Sequence, residues 1–244
     1  MAHAMKASRS LAFTTALILL GALSGDADEV LLRRALMTFF RDAQVLRIDA
    51  VPDLYEGGYA RVSVYVARAL LAGGFRVDEA WVRLVGVSFD PQALRAGELK
   101  VDSVRDTAIH MRVSLQNLER YFMELNPWKD IRIWAQDGFL YARGTTLLAG
   151  IPARVELKGV FGVANRPELY FHVERLRVNG LAVPAAVVRE LERRYNPLLT
   201  QADWPVRFKL RSVRVTRDEV VISSEPLGSS CSFCGDGGSR APAP

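Results

Sequence analysis

Reactive side chains are scarce in this chain. Its 244 residues include two cysteines, Cys231 and Cys234, and three histidines. His110 and His172 stand singly in separate strand-like segments, so neither shares an element with a second metal ligand. No G-x-S-x-G elbow, H-E-x-x-H helix, Walker loop or dinucleotide fingerprint occurs. The carboxylates fall on a polar helix side (Glu190, Glu192) or in turns (Asp137, Asp218), where solvation and turn chemistry account for them. The residues therefore offer no catalytic group, metal set or cofactor site. The expectation is a protein that is not an enzyme, with no metal and no cofactor.

Excess charge is also missing. The net charge of +5 falls to +3, from 30 basic and 27 acidic residues, once residues 1–25 with their two basic and no acidic residues are removed. A mild surplus without a basic stripe argues against a nucleic-acid partner. It is compatible with peripheral contact with an anionic membrane surface. Lys6 and Arg9, then an apolar run from Leu11 to Leu23, then small residues around Ser24-Gly25 and Ala27, have the order of a secretory signal. The run is shorter than the roughly 20 residues a membrane span needs. No cysteine follows it, so the attachment residue of a lipoprotein signal is lacking. The reading is an exported protein of the periplasm or cell envelope: a signal peptide over 1–25, one domain over 26–225, and a disordered Gly/Ser/Pro-rich tail over 226–244. The C-x-x-C pair in that tail is half of a zinc site and does not open a helix, so a local disulfide or two inconsequential thiols are the readings for it.

What the chain has is alternation. Val62, Val64 and Val66 interleave with Arg61, Ser63 and Tyr65, and Ile151, Ala153, Val155, Leu157 and Phe161 interleave with Arg154, Glu156 and Lys158. Strands are expected over about 45–48, 60–67, 77–89, 99–113, 131–135, 139–145, 151–161, 168–178, 206–216 and 219–223. Asp90-Pro91 reads as a turn between two of them. Helical spacing is expected over 28–41, over 115–125 with Ser114 as N-cap, and over the segment beginning at Pro184 and ending at Asn196-Pro197. In that last helix Glu190 can reach Arg194. Two late strands change face in mid-course: Phe171 and Val173 share one parity and Leu176 and Val178 the other, as do Val206, Phe208 and Leu210 against Val213 and Val215. An extra residue at a β-bulge produces such a shift and bends the sheet. The fold class is α+β, with a long, strongly twisted and curved antiparallel sheet wrapping one or two helices. A curved sheet with one apolar face and few helices must close on itself or hold something apolar. The competing reading is an ordinary core filled by the protein's own helices.

The region from about Gly57 to Ser224 resembles the LmeA-like family of exported bacterial proteins. The likeness rests on the ordered strand meander, on Val113-Ser-Leu-Gln-Asn-Leu118 entering the middle helix, on Val178-Asn179-Gly180 before the helix at Pro184, and on Asn196-Pro197 after it. It implies a fold akin to the elongated tubular lipid-binding proteins, phospholipid as the partner, and a non-enzymatic role in lipid or envelope glycolipid maintenance or transfer. The candidate groove is Val155, Leu157, Phe161, Phe171, Val173, Val206, Phe208 and Leu210 on strands, with Val187, Val188, Leu191 and Tyr195 on the helix that closes or fills it. Arg207, Lys209, Arg211 and Arg214 are the candidate headgroup contacts. The alternative is an envelope scaffold or interaction protein with a fully packed core and no lipid. Headgroup preference and oligomeric state stay open.

Overall fold

A computed structural model describes residues 29–55, 58–71, 74–125, 129–148, 150–163, 168–199 and 204–234. The signal-like segment lies outside the described residues. Helix α1 occupies residues 29–39. A meander of long strands follows: β1 (Val45–Pro52), β2 (Tyr59–Leu70), β3 (Arg76–Phe89) and, after the short helix α2 (Pro91–Ala96), β4 (Val101–Ser114). Helix α3 (Leu115–Leu125) leads into β5 (Lys129–Gln136), β6 (Phe139–Leu148), β7 (Ile151–Gly162), β8 (Tyr170–Val178) and the short β9 (Leu181–Ala182). Helix α4 (Ala185–Tyr195) precedes the closing hairpin, β10 (Ser212–Val215) and β11 (Glu219–Ser223).

The strands form two open antiparallel sheets rather than one. Sheet A has the order β1-β2-β3-β4-β11-β10 and sheet B the order β5-β6-β7-β8-β9. Because β11 pairs with β4, with Ile222 opposite Met111 and Val220 opposite Val113, the C-terminal hairpin returns to complete the first sheet. The architecture is α+β with curved sheets, as the alternation implied. The bulge expected in β8 is present: Lys158 pairs with Arg175 but Gly159 pairs with Val173, which leaves Glu174 as the extra residue. The corresponding shift expected after Leu210 has another origin. Residues 207–211 form no strand, and pairing begins only at Ser212.

Alternation explains the core. Val62, Val64 and Val66 of β2, Val77, Ala80 and Leu84 of β3, Ile109, Met111 and Val113 of β4, and Val220 and Ile222 of β11 are all buried on one side of sheet A. Leu32, Ala35 and Leu36 of α1 and Phe40 just after it join the same cluster, together with Trp204, Val206, Phe208 and Leu210 from the irregular segment before β10. The outer side of sheet A is laced by polar contacts instead. Arg112 on β4 bonds Glu79 on β3 at 2.7 Å and Glu219 on β11 at 3.0 Å, and the Tyr65 hydroxyl donates to Glu79 at 3.1 Å. Four strands are thus tied through one guanidinium, whose fork suits two carboxylates at once.

Helix α3 joins the sheets. Ser114 Oγ caps it by accepting the Asn117 N–H at 3.3 Å, as its position implied. Leu115 and Leu118 bury against the core, while Glu119 accepts the Ile133 N–H of β5 at 2.6 Å. Near the opposite end of β7, Leu169 and Leu199 form an isolated bridge.

Asp90-Pro91 is not a simple turn. Asp90 is the N-cap of α2, accepting the N–H groups of Gln92 at 2.8 Å and Ala93 at 3.2 Å, with Pro91 in the first turn and Gly97 closing the helix at φ 80°. Lys100 Nζ donates to the other oxygen at 2.8 Å. This Lys100 bond, followed by the two backbone N–H bonds, lowers the Asp90 carboxyl from its ordinary 3.8 to about 2. A carboxyl depressed in the folded state favours folding above its ordinary value, and that contribution is lost as pH falls towards about 2. An NMR titration should place Asp90 near that midpoint, and Lys100→Met should move it upward. A midpoint unmoved by the substitution would contradict the assignment.

Candidate functional site

The inner side of sheet A is wider than α1, and the uncovered part is where the structure opens. A cavity of about 220 Å³ lies where α3, β4, β11 and the end of β7 meet. Its described lining is Phe39, Leu71, Phe75, Val113, Leu118, Tyr121, Phe122, Phe161, Leu169, Leu198, Leu199, Trp204, Val220 and Ile222, none of them charged. Leu198, 40% exposed, is the most exposed of the described lining residues. A smaller void of about 20 Å³ lies beneath α1 against β2 and β3 and shares Phe39 and Trp204 with the first. Those two rings stand 5.1 Å apart, and Trp204 meets Phe208 edge-on at 5.0 Å, so an aromatic partition separates the voids.

At about 24 cal/mol per Å³, an empty cavity of 220 Å³ corresponds to about 5 kcal/mol. That is an upper figure because the cavity is not fully enclosed, yet it is comparable with the whole stability of many domains. Apolar cavities smaller than this stay dry and admit small hydrocarbons. The arrangement is suited to an apolar guest.

Of the sequence-derived groove residues, Phe161 lines the larger cavity and Val206 the smaller. Phe171 packs edge-on against Phe161 at 5.1 Å, one layer behind. Val155, Leu157 and Val173 are half-buried on sheet B. Val155 and Leu157 share their side of β7 with Ala153, Gly159 and Phe161, so an apolar strip runs along that strand to the cavity. Gly159 is required there: a Cβ would meet the His172 carbonyl oxygen and come within 2.6 Å of the Phe171 ring. Phe208 and Leu210 are buried core residues outside both cavity linings. Arg207, Lys209, Arg211 and Arg214 are exposed. The residues missed from sequence, chiefly Phe75, Tyr121, Phe122 and Trp204, come from helix faces and loops, where strand parity gives no signal.

Helix α4 does not lie across the groove. Val187 is exposed, Val188 and Leu191 are half-buried, and the side chain of Tyr195 lies outside the described residues. Instead the helix runs along the free edge of β8. Glu192 accepts the Val173 N–H at 2.6 Å, and Asn196 accepts the Phe171 N–H at 2.9 Å while donating to the Phe171 carbonyl at 2.8 Å. Further along, Leu198 and Leu199 exchange backbone bonds with Leu169. An exposed row of strand donors invites pairing with other chains, and these side chains satisfy it. Asn179 makes a similar link, exchanging bonds with the backbone of Arg154 at 2.8 and 2.9 Å. Pro184 stands at the N-cap rather than in the first turn, and Glu190 pairs with Arg193, not Arg194.

Of the tail expected over 226–244, residues 226–234 are described and are mostly exposed, with Phe233 buried. Phe233 is buried beneath the Arg83 guanidinium at 5.0 Å, Glu225 accepts the Ser232 N–H at 3.0 Å, and Cys231 and Cys234 form a disulfide. The ring of His110 lies within 4.8 Å of both sulfurs, but sulfurs joined to each other offer no thiolate ligands. His110 meets Trp81 at 5.6 Å and Ser223 Oγ at 3.3 Å, and burial pushes its pKa below the ordinary value. His172 is exposed and stacks on Tyr170 at 6.4 Å.

A family model described as LmeA-like phospholipid-binding matches residues 41–225. No curated protein and no solved structure matches the chain.

The edge clamp gives a direct expectation. Glu192→Ala leaves the Val173 donor unsatisfied and should cost about 1–3 kcal/mol. Hydrogen exchange should quicken at Val173 and, in Asn196→Ala, at Phe171. Unaltered exchange at both amides would show that α4 does not hold the edge.

Proposed function

Because the chain belongs to the LmeA-like phospholipid-binding family, we propose that it is an exported cell-envelope protein that holds part of a phospholipid acyl chain in the cavity between its sheets. Its role on this reading is lipid or envelope glycolipid maintenance or transfer, without covalent chemistry. The observation that carries the reading is the 220 Å³ cavity, whose described lining has no charged residue and includes the part-exposed Leu198. Each methylene moved from water into such a space contributes about 0.8 kcal/mol, so a few suffice to offset the cost of ordering a chain. The rest of the acyl chain has the strip of Val155 and Leu157 to lie against. The headgroup would stay in water. The signal-like order of residues 1–25 supports export.

Leu198→Glu is the informative variant because Leu198 is partly exposed, so a charge there is tolerable for folding but not for an acyl chain passing beside it. Native mass spectrometry of protein purified without detergent should show bound phospholipid in the parent. The variant, with unchanged thermal unfolding, should lose loading at least about tenfold, because burying a carboxylate beside an acyl chain costs well over the 1.4 kcal/mol that a factor of ten represents. Equal loading in a folded variant would remove the cavity from the site.

A further inference from the structure

The far end of sheet B exposes aliphatic side chains that its fold does not use. Leu147 is 46% exposed, Ile151 68% and Leu181 75%. Strand register brings them to one end of the sheet, Ile151 and Leu181 on the side that carries Val155 and Leu157, and Leu147 on the other. Leu147 is opposite Pro152 beside the β6–β7 turn, and Leu181 is opposite Val178, which is itself opposite Val155 on β7. Asn179 holds the β8–β9 turn against Arg154. Two hairpin tips therefore project at one end of the sheet, each with an aliphatic residue that a soluble protein would ordinarily cover or replace.

The charge around these tips is predominantly positive. Residues 138–155 and 175–189 contain Arg143, Arg154, Arg175, Arg177 and Arg189 and no carboxylate. All five guanidinium side chains are exposed. Glu156, the nearest acid on β7, contacts Arg154 at 3.7 Å and lies between Arg143 and Arg177 across the strands, so it is outnumbered. Strand register places Arg154, with Arg143, Arg175 and Arg177, on the side of sheet B opposite to Ile151 and Leu181, so the end of the sheet is apolar on one side and cationic on the other. Such an end matches a bilayer of anionic phospholipid: the aliphatic side enters the acyl boundary and the cations meet headgroup phosphates. The β1–β2 hairpin of sheet A shows the contrast. Leu54 and Tyr55 are 88% and 97% exposed, but they lie between Asp53 and Glu56, whose charges an anionic surface repels.

We propose that the β6–β7 and β8–β9 tips, through Leu147, Ile151 and Leu181 and the arginines on the adjoining cationic side, are the surface on which this protein docks to an anionic phospholipid membrane. The inference deepens the lipid-binding reading by giving the cavity a membrane to exchange with. Ile151 opens the side of β7 that carries Val155 and Leu157 and ends at Phe161 in the cavity. Ten residues of strand at about 3.3 Å each place the tip about 33 Å from that ring. Docking at the tip thus aligns an apolar strip between bilayer and cavity.

Vesicle flotation tests it, with phosphatidylcholine vesicles and with phosphatidylcholine–phosphatidylglycerol vesicles. The parent should float with the anionic vesicles and release as salt is raised. Ile151→Ser with Leu181→Ser should bind at least about tenfold more weakly, since two aliphatic side chains no longer enter the bilayer. Leu54→Ser with Tyr55→Ser should bind as the parent does. Equal flotation of the tip variant, or loss in the hairpin control instead, would overturn the docking assignment. Uptake of a short-chain phosphatidylglycerol dispersed as monomers separates the two ideas. The tip variant should still take it up, because its cavity is intact. A parent that floats yet takes up no monomeric lipid would overturn the cavity reading alone.

Discussion

The inner face of sheet A exceeds what the helices can cover. Helix α1 covers it at β2 and β3, and α3 covers it near β4 and β11. Between them the described residues supply the irregular segment beginning at Trp204 and the ends of sheet B. Everything notable about the interior follows from that shortage: the aromatic partition of Phe39 and Trp204, the bridge between Leu169 and Leu199, and the uncharged cavity beneath α3. A space of this size would ordinarily be removed by a larger side chain, because unfilled volume in a core is costly. Retaining it is understandable where a guest supplies the missing contacts.

The second constraint is the edge of sheet B. Strand β8 is paired with only the two residues of β9 on one side, so its remaining donors need partners. Helix α4 and the residues after it provide them through Glu192, Asn196 and Leu199. This gives a physical meaning to the residues that first suggest the family: Asn179, Gly180 and Asn196 are parts of an edge cover, and the helix between them has an exposed outer side. The polar lacing at Arg112 does comparable work on the outside of sheet A.

Much of this was legible in sequence because alternation and helical spacing are strong signals in long elements. The β2 valines, the α3 stripe and the parity change in β8 each read correctly, the last to the point of locating a bulge. What failed did so for identifiable reasons. Asp90-Pro91 carries the residues of a turn and of a short helix start alike, and the Lys100 partner that stabilises the cap is ten residues away. Phe208 and Leu210 alternate as a strand would, yet they bury as part of an irregular segment packed on the sheet. The division into two sheets depends on the return of β11 to β4, a pairing about a hundred residues apart that no local pattern encodes. The cavity is the extreme case, since a void is defined by side chains from seven separate segments and by the absence of a residue that would fill it.

The central claim is that an acyl chain occupies the space bounded by Phe122, Phe161 and Trp204. Phosphatidylglycerol carrying a photoactivatable diazirine on its acyl chain, loaded into the protein and irradiated, tests this directly. Peptide mapping should place the adducts on α3, the end of β7 and the segment beginning at Trp204. Adducts confined to the outer faces of the sheets, or no adduct despite loading, would contradict it.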